Sequence, residues 1–226
     1  MPSPTKSIRN RVYATFAAEG RAPSLRELAR LCALTAEQVA DGLIELAERH
    51  QLVISADGDA VRMAHPFSAA PMGFVVRAAD EPESRMWWGG CAWDSFGIGA
   101  ALALAVQIDT TCPGCGTPHT ILADPINPPD PALVVHFLVP AERWWADVVH
   151  TCSHIRVFCS TTHVDDWLAR TDNARGEVVA LADVWRLAQT WYGDRLAADY
   201  QPRPVVRSQE LLAAVGLTGP FWQLPI

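Results

Sequence analysis

The sequence predicts an α+β fold. A winged helix-turn-helix-like helical module spans residues 1–65, and an α+β domain spans 66–226, where a mixed or antiparallel sheet carries flanking helices. Three observations lead there. Two capping-box signatures, Ser24-Leu25-Arg26-Glu27 and Thr35-Ala36-Glu37-Gln38, each open a stretch with helical apolar spacing. From residue 66 onward the order is mostly strands with helices inserted between them. Half of the 226 residues are hydrophobic, which is enough to build a sizeable core.

The elements follow in order. A first helix is expected over residues 7–18. The second carries Leu25, Leu28 and Leu31 inward, with Cys32 on the same apolar face. The third buries Val39, Leu43 and Leu46 along with Ile44. Residues 52–54 and 60–63 flank an Asp57-Gly58 turn and read as a β-wing. A Pro-containing link, 64–71, leads into strands at 73–79 and 84–88. Residues 92–104 form a small-residue helix in which Gly97 and Gly99 permit close packing, at some cost in helix propensity. Strands at 105–111 and 119–123 flank a turn at Cys112, and the Pro-rich stretch 124–131 is a loop. Then come a strand at 132–139, a helix at 141–149, a strand at 155–160 and helices at 164–170 and 181–196.

Charge narrows the function. A net charge of −7 argues against a general nucleic-acid binder. Within residues 1–65, eight Lys/Arg meet eight Asp/Glu, and the third helix sets Glu37, Asp41, Glu45 and Glu48 against Arg49. A helix that reads DNA needs basic or amide side chains facing the groove. The N-terminal module is therefore expected to act as scaffold or lid and not to bind DNA. The longest apolar stretch, near 96–106, is too short to span a bilayer, and the first residues lack the apolar core of a signal peptide. A cytoplasmic location without membrane attachment is expected. Thiols stay reduced there, so the six cysteines read as metal-binding, catalytic or core residues, not as a disulfide framework.

The chemistry concentrates in Trp87-Trp88-Gly89-Gly90-Cys91-Ala92-Trp93-Asp94. Cys91 follows two glycines at the head of a helix, where free N–H groups and the helix dipole are expected to lower a thiol pKa. Asp94 projects to the same face one turn on. Cys152, in Thr151-Cys152-Ser153-His154, supplies a second thiol. Taken singly each is ambiguous: a cysteine in an apolar run is usually a small buried hydrophobe. His154 reads as a surface or packing residue, with partnership to Cys152 as the alternative. Trp87, Trp88, Trp93 and Phe96 would wall a dry site or serve as plain core. Cys112-Pro113-Gly114-Cys115 is a Cys-x-x-Cys knuckle without a second such pair. A structural turn with two reduced thiols is favoured over zinc, because Cys159 and His163 complete a site only where the fold brings them near.

With these residues in place, the chain resembles the organomercurial (alkylmercury) lyases. The likeness rests on the N-terminal module, Ala64-His65-Pro66-Phe67-Ser68, Trp88-Gly89-Gly90-Cys91-Ala92-Trp93-Asp94, Cys152-Ser153-His154-Ile155-Arg156-Val157-Phe158 and Asp165-Asp166-Trp167-Leu168. It implies a catalytic set of Cys91, Asp94 and Cys152, which also contacts the mercury of substrate and product. Two thiolates would bind the soft metal and Asp94 would shuttle the proton that cleaves the carbon–mercury bond. The resemblance implies no required organic cofactor, external small thiols for turnover, and a mercuric reductase as acceptor of Hg(II). Some relatives carry a cysteine after the second catalytic one; here it is Ser153. Two other classes keep the same residues: a soft-metal (mercury or copper) binding protein without catalysis, and a winged-helix regulator that senses metal. Asp94 argues against the first, since a simple metal holder needs no acid, and the acidic third helix argues against the second.

Overall fold

The computed structural model describes residues 3–81, 83, 85–129 and 132–225. Ser84, expected in a strand, and Asp130 and Pro131, expected in a loop, lie outside the described residues. Helix α1 (Pro4–Glu19) starts earlier than the periodicity alone predicts. The Ser3 side chain accepts from Lys6 N, and a proline occupies the first turn, where its missing N–H is no loss. Both capping boxes close as expected, Ser24 with Glu27 on α2 (Leu25–Cys32) and Thr35 with Gln38 on α3 (Ala36–Glu48). Strands β1 (Val53–Ile54) and β2 (Val61–Ala64) form the hairpin around the Asp57-Gly58 turn.

The link at 64–71 holds an element that its composition hides. Phe67–Ser68 is a two-residue strand, β3, which pairs antiparallel with β2 on one side and with β5 (Met86–Gly89) on the other. With β4 (Val75–Ala78), β6 (Val106–Thr111) and β7 (Pro118–Ala123), a seven-stranded sheet runs in the order β1-β2-β3-β5-β4-β6-β7. A second sheet of order β10-β8-β9 combines β8 (Val134–Phe137), β9 (Arg156–Phe158) and β10 (Glu177–Ala180). Every strand pairing among the described residues is antiparallel. The sequence reading lacks β10: the strand is short, and both its ends face solvent, so it carries little apolar pattern.

Helix α4 (Ala92–Leu102) lies at the centre, with every residue from Ala92 to Ala100 buried. It packs against α7 (Leu181–Tyr192). Gly97 makes that approach possible: a Cβ there would fall 2.3 Å from Tyr192 Cδ2 and 2.9 Å from Pro66 Cβ. The helix expected over 141–149 divides instead into a 3-10 turn, Ala141–Arg143, and α5 (Val148–Ser153). Local hydrogen bonds cause the break. Trp144 Nε1 donates to Val139 O at 2.9 Å, and the Asp147 side chain accepts from His150 N at 2.9 Å, starting a new helix there. Cys152 therefore sits in the last turn of a helix. Helices α6 (Thr161–Thr171) and α8 (Val205–Ala214) complete the order.

The N-terminal helices share the main core with the rest. Phe16 stacks on Phe67 at 5.6 Å, Trp87 Nε1 donates to Phe16 O at 3.0 Å, and Tyr13 Oη donates to Gln51 O at 3.0 Å and to His65 O at 3.2 Å. A satellite core of Cys112, Phe158, Val164 and Leu168 lies between β9 and α6. Overpacking the α4–α7 contact should destabilise the whole. Gly97→Ala is expected to lose about 1–3 kcal/mol, because the added methyl displaces a buried ring. Urea unfolding midpoints of the two proteins check this; an unchanged midpoint would show that Tyr192 can yield at no cost.

Candidate functional site

Strand β5 ends in Gly89-Gly90, and Cys91 becomes the N-cap of α4 with extended backbone angles. Its Sγ accepts from Asp94 N at 3.4 Å, and Ser95 Oγ donates to Cys91 O at 2.7 Å. The spacing seen in the sequence thus has a local cause: a cap at position 91 brings residue 94 back over it within the first turn. Cys152 enters from α5. Ala92 N donates to Ile155 O at 3.1 Å, and Ile155 N donates to Cys152 O at 3.2 Å, so the turn after α5 is tied directly to the head of α4.

The fold brings the three expected residues together. Cys91 is buried at the head of α4 and lines the same cavity as Asp94 and Cys152. Cys152 Sγ lies 3.8 Å from Asp94 Oδ2. Asp94 is 1% exposed, and Tyr192 Oη donates to its other oxygen, Oδ1, at 2.6 Å. His65 Nε2 lies 3.6 Å from Cys152 Sγ and 4.0 Å from Asp94 Oδ2. His65, Asp94 and Cys152 place their donor atoms within 4.8 Å of one another, close enough to share one metal ion.

The electrostatics correct one expectation. The head of a helix does not make Cys91 the acidic thiol. Burial pushes its pKa well up, and the neighbouring Cys152 and Asp94 add to the rise; the single backbone N–H from Asp94 acts the other way and loses. Cys152 is the thiol whose pKa is lowered. The S–H of Cys91 favours its thiolate first, against burial and Asp94, and His65 adds to the effect. Burial alone would lower the His65 pKa, but Asp94 and Cys152 outweigh it and raise it.

A cavity of about 290 Å³ opens onto this cluster. Of the aromatic residues beside Cys91, Trp93 lines it, whereas Trp87 points into the N-terminal helices. The wall comes mainly from elsewhere: Trp144, Trp145 and Trp191, with Trp145 stacked on His50 at 4.3 Å. His154 takes the packing role, its Nδ1 2.7 Å from His150 O and its ring against Trp167. Sequence reasoning missed His65 and Tyr192. Tyr192 lies within the helix expected over 181–196, and His65 within the link; neither has a local spacing that ties it to Cys91.

A second group of donors forms where a reduced-thiol turn was favoured. Cys112, Cys115, Cys159 and His163 lie with their donor atoms within 4.8 Å of one another. The condition set by the sequence, that the fold bring Cys159 and His163 near the knuckle, is met.

The family model described as MerB, alkylmercury lyase, matches residues 67–193. Among solved structures, the chain is similar to the "mercury-bound form of MerB2", at 20% sequence identity and a TM-score of 0.65 over 87% of this chain and 93% of that one. No curated protein matches.

The asymmetry between the thiols is testable in the resting protein. Ultraviolet titration of thiolate absorbance should find Cys152 ionising below an ordinary thiol. Both Cys91→Ala and His65→Ala should move that midpoint up, since each removes a donor that favours the thiolate. A midpoint that falls in either variant would contradict the assignment.

Proposed function

The chain belongs to the alkylmercury lyase family, matched over more than half its length, and we propose that its organomercurial lyase activity runs through Cys91, Asp94 and Cys152. The observation that carries this reading is a buried carboxylate placed against the Cys152 thiol, one turn from Cys91 on the same cavity, and fixed from behind by a tyrosine. A metal holder without catalysis has no use for such an acid.

The chemistry follows from the asymmetry. Cys152, the thiolate-prone sulfur, takes the mercury of R–Hg⁺ first, since soft metals prefer sulfur donors. Mercury on Cys152 removes the acceptor of the Cys91 proton. Asp94 accepts that proton, and the Cys91 thiolate adds to the metal. Two sulfur donors push electron density into the carbon–mercury bond, and the carbon becomes basic. Asp94 then delivers the proton to that carbon as R–H departs, and Hg(II) stays on the two sulfurs. The proton leaving Cys91 is thus the one that ends on the hydrocarbon, and no organic cofactor takes part. Tyr192 and His65 hold Asp94 and Cys152 in register, so that transfer occurs within a preformed geometry. External small thiols, or a mercuric reductase, take Hg(II) away.

The N-terminal residues 1–65 read as a winged-helix-like scaffold and lid. The end of α3 supports this, because Arg49 and His50 line the cavity and His50 stacks on Trp145. No helix of the described residues is long and apolar enough to cross a membrane. All six cysteines are free, which suits a reducing, cytoplasmic setting.

Phenylmercury with excess small thiol tests the reading, with benzene release as the readout. The wild type should release benzene. Asp94→Asn should still bind mercury but release benzene about 10²–10⁴-fold more slowly, the usual worth of a positioned general acid. Release at the wild-type rate from Asp94→Asn, or no benzene from the folded, reduced wild type, would refute it.

A further inference from the structure

The second donor cluster lies outside the lyase site and has no part in the reaction above. The turn between β6 and β7 carries Cys112 and Cys115, the residue after β9 is Cys159, and the first turn of α6 carries His163. Cys115 Sγ is 3.6 Å from Cys159 Sγ, and Cys112 Sγ is 4.0 Å from His163 Nδ1. Four sulfur and nitrogen donors on a tetrahedral Zn²⁺ sit about 3.5–3.8 Å apart, given bond lengths of about 2.0–2.3 Å. The Cys115–Cys159 separation falls in that range, the Cys112–His163 separation is a few tenths of an ångström longer, and all four donor atoms lie within 4.8 Å of one another.

The backbone around the donors is built to hold them. Cys112 N donates to Thr117 O and Gly116 N to Cys112 O, both at 2.9 Å, closing the turn. Gly114 lets the turn lie directly on α6: a Cβ there would fall 2.5 Å from both His163 Cβ and His163 O. Arg170, about two helix turns beyond His163, donates to Pro113 O and Gly114 O at 2.7 Å each. Cys112 is fully buried in the satellite core with Phe158 and Val164. Outer partners are present too. His119 Nε2 is 3.3 Å from Cys159 Sγ, and Thr117 Oγ1 is 3.1 Å from Cys115 Sγ. Such groups orient metal-bound thiolates and spread their charge.

We propose that Cys112, Cys115, Cys159 and His163 bind a structural Zn²⁺ ion that clamps the β6–β7 turn to the junction of β9 and α6. Three thiolates and an imidazole are a closed donor set of the structural zinc type, with no position left for substrate. The Cys-x-x-Cys and Cys-x-x-x-His spacings supply two ligands from each side of the clamp. The ion joins the edge of the seven-stranded sheet to the three-stranded one, and it anchors the C-terminal end of β9, the strand that follows directly on Cys152. Binding releases the protons of the three thiols, so occupancy falls as pH falls.

The test is metal analysis of the full chain purified under reducing conditions, followed by chelation and reloading with Co²⁺. One zinc per chain is expected, and the cobalt form should show sulfur-to-cobalt charge-transfer bands with tetrahedral d–d absorption. Cys159→Ser and His163→Ala should lose zinc, while Cys91→Ala/Cys152→Ala should keep it, which separates this site from the lyase site. Three results would overturn the proposal: native protein without zinc whose metal-free form takes up no cobalt; zinc lost only with Cys91 and Cys152; or a Cys115–Cys159 disulfide in the purified protein, read by mass spectrometry. Should the single variants not fold, the metal content and cobalt spectrum of the wild type still decide.

Discussion

The Asp94 carboxylate is the constraint on which the rest of the structure turns. A charged group that is 1% exposed is stable only where partners replace the water it loses; left unpaired, its burial costs several kcal/mol. Those partners come from three distant parts of the chain: Tyr192 from the end of α7, Cys152 from the end of α5, and His65 from the turn after β2. Each must arrive within hydrogen-bonding or ion-pair reach. The close α4–α7 packing, the bond from Ala92 N to Ile155 O and the short β3 strand that pins residue 67 beside β5 are what bring them there.

The same burial divides the labour between two chemically identical thiols. Cys91 and Cys152 are both nearly inaccessible, so desolvation opposes either thiolate. What separates them is hydrogen bonding. Cys152 faces the His65 ring, whereas Cys91 accepts the backbone N–H of Asp94. One sulfur is thereby set up to meet the metal and the other to hold a proton until it is needed. The burial of Cys91, Asp94 and Cys152 preserves this difference, because charges interact more strongly in a low-dielectric setting.

How much of this was legible in the sequence depended on distance along the chain. The cap-and-return geometry of Cys91 and Asp94 is local, and a three-residue spacing at a helix start reveals it. So are the two capping boxes, both of which form. Cys152 reads in its own segment only as an ambiguous second thiol, and its catalytic role comes from the family resemblance. Tyr192 reaches Asp94 across 98 residues, and no period in α7 distinguishes it from its buried neighbours. The expected helix over 141–149 failed because apolar spacing carries no information about the Trp144 and Asp147 hydrogen bonds that split it. Strands β3 and β10 are too short to show a period of two. The Cys112–Cys115 knuckle was visible, but its completion by Cys159 and His163 rests on the packing of α6 against the β6–β7 turn.

Two sulfur-rich sites in one chain make the location of mercury the deciding quantity, since both could attract a soft ion. The most direct measurement is the position of the metal by anomalous X-ray scattering from crystals of the wild type reacted with phenylmercury. The account predicts mercury between the sulfurs of Cys91 and Cys152 with the Asp94 carboxylate beside it. Mercury found only at Cys112, Cys115 and Cys159, with Cys91 and Cys152 metal-free, would contradict it.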